Sequence, residues 1–273
     1  MEYKFGAMPP TKDIRDYKLR PTKLKKYPKT FILKPPVIYN QGSVNSCVAN
    51  AMSYLIEYFN SLQEANKAQF SRGFLYGYRP TGYYKGEGMY LRECLKTAQK
   101  LGDVTLEKFD GSDKEIPAIK EEVMDNLNEL TPLAYPNRIS EYFKLGSLSA
   151  IKDAIMTFGY VMVSIVWYED ATVKDGILSS SYSQAVGNHA ITLYGWNPEG
   201  FLFANSWGKG WGNNGSAILP YDYKLIEAWG VSDTITSKKI VTKPNKNKFF
   251  QLLYKIFKDL PKKIKAYLKK QPK

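Results

Sequence analysis

Gln41-Gly42-Ser43-Val44-Asn45-Ser46-Cys47, running on into Val48-Ala49-Asn50-Ala51-Met52-Ser53-Tyr54-Leu55, is the stretch that decides the fold. Val48, Ala51, Met52, Leu55, Phe59 and Leu62 recur at three- and four-residue intervals, which predicts a helix beginning near Cys47. A thiol at a helix N-terminus is a chemical signal, because that position beside an imidazolium lowers a cysteine pKa from about 8.5 to roughly 3.5–7.5. The competing reading of a lone cysteine is a small buried hydrophobe. Cys94 takes that reading, since Leu91, Cys94, Leu95 and Ala98 make one apolar helix face.

The partner for a reactive thiol lies far along the chain. His189 is the only histidine, and Asn188-His189-Ala190 opens a strand-like run to Trp196. Asn205-Ser206-Trp207-Gly208 follows the next strand-turn-strand unit. An asparagine oxygen can accept one ring N–H of an imidazole, which leaves the other ring nitrogen free to act as a base.

Gln41-Gly42-x-x-Asn45-Ser46-Cys47, then Asn188-His189-Ala190, then Asn205-Ser206-Trp207-Gly208-x-Gly210-Trp211-Gly212-x-x-Gly215 resembles the papain-like cysteine peptidases over roughly residues 36–232. Gln41 stands six residues before Cys47 and Asn205 sixteen after His189, both as in that family. The resemblance implies a two-lobe α+β fold, a helical lobe facing a β-rich, barrel-like lobe, and hydrolysis of peptide bonds through a thioester. It implies that Cys47 is the nucleophile, His189 its base and then the acid for the leaving amine, and Asn205 the group that holds the imidazole. Trp207 would shield that hydrogen bond, and Gln41 would donate to the oxyanion beside the backbone N–H of Cys47. By the same resemblance Gly86-Glu87-Gly88 stands where the family places the glycine strip that binds substrate backbone, so Gly88, with Trp207 and Asn188, is marked for substrate binding. A plain turn before a helix is the other reading of Gly88. No cofactor is implied, and one histidine with two separated cysteines has no zinc-ligand spacing.

Several positions depart from the family pattern. Asn45 replaces a common glycine, Val48 a common aromatic residue, and Asn188 the aspartate of papain. Two cysteines cannot supply the several disulfides of secreted members. Only 46 residues precede Cys47, without the long inhibitory propeptide motif, so control is expected from location, from the lead-in segment or from the tail. The same residues would serve a ligase or transpeptidase that passes the acyl group to an amine. A non-enzymatic adaptor acting through the tail is the third reading.

Outward from these motifs, the chain divides into an extended, Pro- and Lys-rich lead-in (1–36), a catalytic region (37–237) and a basic tail (238–273). The helical lobe is expected over about 45–135, with the β-rich lobe over about 136–237 joined by the N-terminal segment. Helices are predicted at 89–101, stopped by Gly102, at 119–130, and at 147–158, stopped by Gly159; strands at 160–167, 189–196, 201–204 and 216–219. Gly210-Trp211-Gly212-Asn213-Asn214-Gly215 matches a dinucleotide fingerprint as a string, but it leads into a strand and not a phosphate-binding helix.

At 273 residues, with 44% hydrophobic and 14% aromatic residues, the chain is long and apolar enough for a substantial core, which excludes wholesale disorder. The net charge of +13 is local: 13 of the 39 basic residues and one of the 26 acidic ones fall between Lys238 and Lys273. The remainder carries 26 basic against 25 acidic residues, so nothing in the body calls for nucleic acid. In the tail, Phe249, Leu252, Leu253, Ile256, Phe257, Leu260, Ile264, Tyr267 and Leu268 form a helical stripe with lysines opposite and Pro261 as a kink. Such a helix docks on its own body, on a partner, or on an anionic membrane surface. The absence of a signal-like start and of a disulfide set points to the cytoplasm, with peripheral membrane contact through the tail as the further expectation.

Overall fold

A computed structural model describes residues 4–233 apart from 12, 15, 20–25, 64–67, 80–87, 112–115 and 180–181. The readings made for the tail, and for Gly86 and Glu87, lie outside the described residues. By internal contacts the chain divides into Met1–Ser232 and Asp233–Lys273. No described helix is long and apolar enough to cross a membrane.

Six α-helices are described: α1 (Cys47–Gln63), α2 (Arg72–Gly77), α3 (Leu91–Lys100), α4 (Ile116–Asp125), α5 (Leu127–Ala134) and α6 (Leu148–Thr157). Ten strands accompany them: β1 (Lys18–Leu19), β2 (Phe31–Ile32), β3 (Glu141–Leu145), β4 (Val161–Tyr168), β5 (Thr172–Lys174), β6 (Ile177–Ser179), β7 (Ala185–Trp196), β8 (Gly200–Ala204), β9 (Ser216–Pro220) and β10 (Leu225–Ser232). Nine lie in the order β1-β3-β10-β4-β7-β8-β9-β6-β5, and β2 pairs with β7. Five of the six α-helices thus precede residue 135 and eight of the ten strands follow residue 140, with α6 between β3 and β4, which is the α+β arrangement expected.

Most boundaries have a local cause. Ser147 caps α6 by accepting the Ala150 N–H at 3.1 Å, and Gly159 ends it at φ +109°. Gly102 does the same after α3 at φ +86°. The helix expected at 119–130 is instead two, because Asn126 turns its side-chain amide back onto the Glu122 carbonyl at 2.8 Å and the chain restarts at Leu127. Sequence periodicity missed α2, whose six residues are all buried, so no polar face marks it. It also missed β10, which carries a glycine and a glutamate yet lies between β3 and β4.

Two apolar cores result. One packs α1 against Phe70, Phe74, Leu75, Leu91 and Leu95; the other fills the sheet with Val163, Ile165, Leu193, Trp196 and Phe203 beneath α6. The described residues of the lead-in are strapped onto the body. Arg92 on α3 holds the Thr11 hydroxyl at 2.7 Å and forms an ion pair with Asp16. β1 runs parallel to β3, the Pro28 carbonyl accepts the Trp196 indole N–H at 3.1 Å, and β2 pairs with the end of β7.

Gly159 sets the turn between α6 and β4, and a Cβ there would lie 2.0 Å from the Tyr58 ring. Gly159→Ala is expected to lower unfolding free energy by about 2–4 kcal/mol, from left-handed strain plus overpacking, as read by urea denaturation.

Candidate active site

The nucleophile candidate is placed by α1. Cys47 is its first residue, so the unpaired N–H groups of the first turn surround the thiol. Across from it, β7 carries His189, and the Cys47 thiol lies in hydrogen-bonding reach of the Ala190 backbone, the very next residue. Two further contacts hold α1 to the same strands. The Thr192 hydroxyl donates to the Ala51 carbonyl at 3.3 Å, and the Tyr54 hydroxyl to the Asn205 carbonyl at 3.2 Å. Cys47, Ala51 and Tyr54 are spaced four and three apart, one stripe of one helix.

The imidazole is oriented by its surroundings. Asn205 Oδ1 accepts the Ser206 backbone N–H at 2.8 Å, which identifies that atom as the oxygen, and lies 2.7 Å from His189 Nε2. An oxygen that can only accept requires Nε2 to carry the proton, so Nδ1 keeps the lone pair. Nδ1 has no hydrogen-bond partner among the described residues. Trp207 stacks on the ring at a centroid distance of 4.4 Å, and Trp167 meets it edge-on at 5.6 Å. The two indoles keep water from the His189–Asn205 bond.

Gln41 is fully buried and held at both ends. Its backbone N–H donates to Ser206 O at 2.8 Å, and its Oε1 accepts the Ser206 hydroxyl at 2.5 Å. The amide nitrogen donates to Val44 O at 2.8 Å and to the carbonyl of Lys4 at 3.2 Å. Ser206 therefore aligns Gln41 and Asn205 together, a role the sequence reading did not assign although Ser206 sits inside the quoted motif.

The cleft is filled by the chain's own N-terminal segment. Met89 N–H donates to Gly6 O at 2.7 Å, Met8 N–H to Met89 O at 3.0 Å, and Ala7 N–H to Asn188 O at 3.2 Å. Phe5 stacks on Trp167 at 6.1 Å and meets Trp207 and His189 edge-on at 5.8 and 6.1 Å. Gly6 has no room for a side chain, since a Cβ would lie 1.9 Å from Asn45 O. Gly88 is close too: a Cβ there would lie 2.6 Å from Met8 Sδ, although the backbone bonds go to Met89, one residue on. The lead-in was one of three expected sources of control, and this is where its first described residues lie.

Burial sets the protonation state. It pushes the Cys47 thiol up, against the opposing pull of the Ala190 and Gly6 backbones and of its own first helical turn. It also lowers the His189 imidazole to about 4, against the opposing pull of the Asn205 hydrogen bond. Both shifts favour a neutral thiol beside a neutral ring. Cys94 is likewise fully buried on α3, where burial and Asp103 raise its thiol well above the ordinary value.

The match to known proteins agrees with this arrangement. The model of the papain family cysteine proteases matches residues 34–224, more than half of the chain. The chain belongs to that family. The match begins at residue 34, so the segment filling the cleft lies outside it. This papain-family chain is 29% identical over 213 residues to an uncharacterized peptidase C1-like protein of Acanthamoeba polyphaga mimivirus, covering 69% of this chain and 65% of that protein. It is 36% identical over 81 residues to cathepsin B-like cysteine proteinase 3 of Ostertagia ostertagi, covering 28% of this chain and 47% of that protein. It therefore spans just under two thirds of the first relative and about half of the second. Among solved structures it resembles xylellain, a cysteine protease from Xylella fastidiosa, with a TM-score of 0.74, 21% identity, and 86% and 99% of the two chains covered. Digestive procathepsin L 3 of Tenebrio molitor larval midgut follows with a TM-score of 0.62 and 16% identity, over 80% and 74% of the chains. At these identities the structural likeness speaks for the fold.

A single histidine makes the site's ionisation directly readable. Its depressed pKa means the ring stays neutral in the folded chain while the unfolded chain binds a proton below about 6.5. The stability this contributes is complete above about pH 6.5 and is lost as pH falls towards 4. Proton NMR titration of His189 is expected to give a midpoint near 4 in the intact chain.

Proposed function

We propose that the protein is a cysteine peptidase in which Cys47, His189, Asn205 and Gln41 carry the reaction. The observation that carries this reading is the Asn205-locked tautomer, because it leaves His189 Nδ1 bare on β7 next to the residue that the Cys47 thiol touches. The proton of Cys47 passes to Nδ1, and the thiolate attacks a peptide carbonyl carbon. Charge then collects on the carbonyl oxygen, where the Gln41 side-chain amide and the Cys47 backbone N–H receive it. Donors of this kind are each worth about 2.7–4 kcal/mol in the transition state. The imidazolium gives its proton to the leaving amine, which departs and leaves a thioester. Water, deprotonated by His189, attacks the thioester and releases the acid and the thiol. That Gln41 Nε2 already binds a peptide carbonyl, that of Lys4, supports its part. Peptides or proteins are the substrate class.

The intact chain is held at rest by residues 4–8. Gln41 holds the carbonyl of the Lys4–Phe5 peptide, while the thiol faces the backbone of Gly6, so no single carbonyl meets both nucleophile and oxyanion donor. Displacing the segment admits water, which reverses both burial shifts and lets thiolate and imidazolium form together.

Cys47→Ala is expected to abolish turnover of a dipeptidyl fluorogenic substrate, and an epoxide inhibitor to label Cys47 and not Cys94 by mass spectrometry. Equal turnover by both proteins, or labelling on Cys94 alone, overturns the reading. Gly6→Val, which drives a side chain into the Asn45 carbonyl, is expected to speed turnover and thiol alkylation roughly tenfold, the factor that about 1.4 kcal/mol represents. Unchanged rates would remove the segment from any controlling role.

A further inference from the structure

Tyr54 is fully buried two turns along α1 from Cys47. Its ring stacks on Tyr39 at 5.2 Å and 10°, contacts that phenylalanine would make as well. The hydroxyl is what distinguishes it. It lies 2.9 Å from the Tyr39 backbone nitrogen and 3.2 Å from the Asn205 carbonyl oxygen. An amide N–H can only donate and a carbonyl can only accept, so the direction of both bonds is fixed: Tyr39 N–H to the phenol oxygen, and the phenol proton to Asn205. Burial pushes the phenol up from its usual range, so that proton is always present.

The atoms joined in this way belong to three separate parts of the site. Tyr39 leads into the Gln41 turn, where Gly208 N–H donates to Tyr39 O and Gln41 N–H to Ser206 O, both at 2.8 Å. Asn205 directly follows β8, its own N–H held by Gly215 O at 2.9 Å. α1 carries the thiol. We propose that the Tyr54 hydroxyl is a positioning residue for the reaction: it fixes the Asn205 peptide relative to α1 and the Gln41 turn, and through Asn205 Oδ1 it fixes the His189 ring. Removing the oxygen frees the Asn205 carbonyl and the Tyr39 N–H at once in a dry interior, so both must shift to find new partners. The Asn205 side chain shifts with its backbone, and the Nε2–H···Oδ1 bond is the first to lengthen.

The proposal rests on the assignment of His189 and Asn205 above, but its test does not require turnover. In the full chain labelled with ¹⁵N-histidine, His189 gives one pair of ring nitrogen signals. Wild type is expected to show a protonated Nε2 with slow proton exchange and a bare Nδ1. Tyr54→Phe is expected to speed exchange of the Nε2 proton at least about tenfold and to mix the two tautomers. Its Tm falls by roughly 3–8 °C. Tyr160→Phe serves as the control, because it removes another buried hydroxyl, one that donates to Lys34 O, without touching the site. The control is expected to lower Tm while leaving the His189 signals in place. Unchanged signals in Tyr54→Phe, or the same change in both variants, overturns the proposal. Should Tyr54→Phe not fold, hydrogen exchange in wild type decides: the Tyr39 amide and the His189 Nε2 proton must open together within about twofold. Rates more than tenfold apart overturn it.

Discussion

Everything at the site depends on how α1 sits against β7 and the end of β8. Neither the thiol nor the imidazole has a flexible tether; each rides on a buried element with no freedom to search. One stripe of α1 meets the strands at three levels, the Cys47 thiol at Ala190, the Ala51 carbonyl at Thr192, and the Tyr54 hydroxyl at Asn205. A rotation of the helix by one residue, about 100°, would carry all three away together. The small side chain at Ala51 lets the helix backbone come close enough for Thr192 to reach its carbonyl. The fold therefore sets the reacting pair by docking one helix face, and the short polar contacts act as the register marks.

The stripe was readable in advance as apolar periodicity, and so was the placement of Cys47 at the start of its helix, because Val48, Ala51, Met52 and Leu55 repeat cleanly. His189 and Asn205 were readable because each sits in a short motif at a family-specific interval. What escaped was of a different kind. α2 carries no contrast between faces, so period alone had nothing to detect. β10 hides a buried Glu227 whose carboxylate accepts the Trp229 indole N–H at 2.7 Å, a partner no local pattern announces. Ser206 and Tyr54 act through hydrogen bonds spanning 165 and 151 positions, and the chemistry of a hydroxyl does not say which distant atom it will meet.

Residues 4–8 escaped for a related reason. Their hold on the cleft is made mostly by backbone, to Met89, Asn188 and Gln41, and backbone bonds leave no signature in side-chain identity. The two clues are size and one ring. Gly6 and Ala7 are small enough to lie on Asn45 and beside Asn188, and Phe5 fits the aromatic wall of Trp167 and Trp207. Asn45, a departure from the family's usual glycine, is the residue whose carbonyl Gly6 lies against.

The filled cleft also explains why a reactive pair can persist in a folded chain without reacting. A thiolate beside an imidazolium is an ion pair, and a dry interior penalises both charges unless donors to the sulfur and acceptors for the ring satisfy them. Here the donors around the sulfur are backbone N–H groups, enough to oppose the burial shift but not to cancel it, and among the described residues Nδ1 has no partner to accept a proton's hydrogen bond. The neutral state therefore wins while the segment is in place. Water is what both charged forms lack while the segment is in place. On the proposed reading, the segment that blocks substrate is the one that disarms the nucleophile, so access and reactivity would change in a single event.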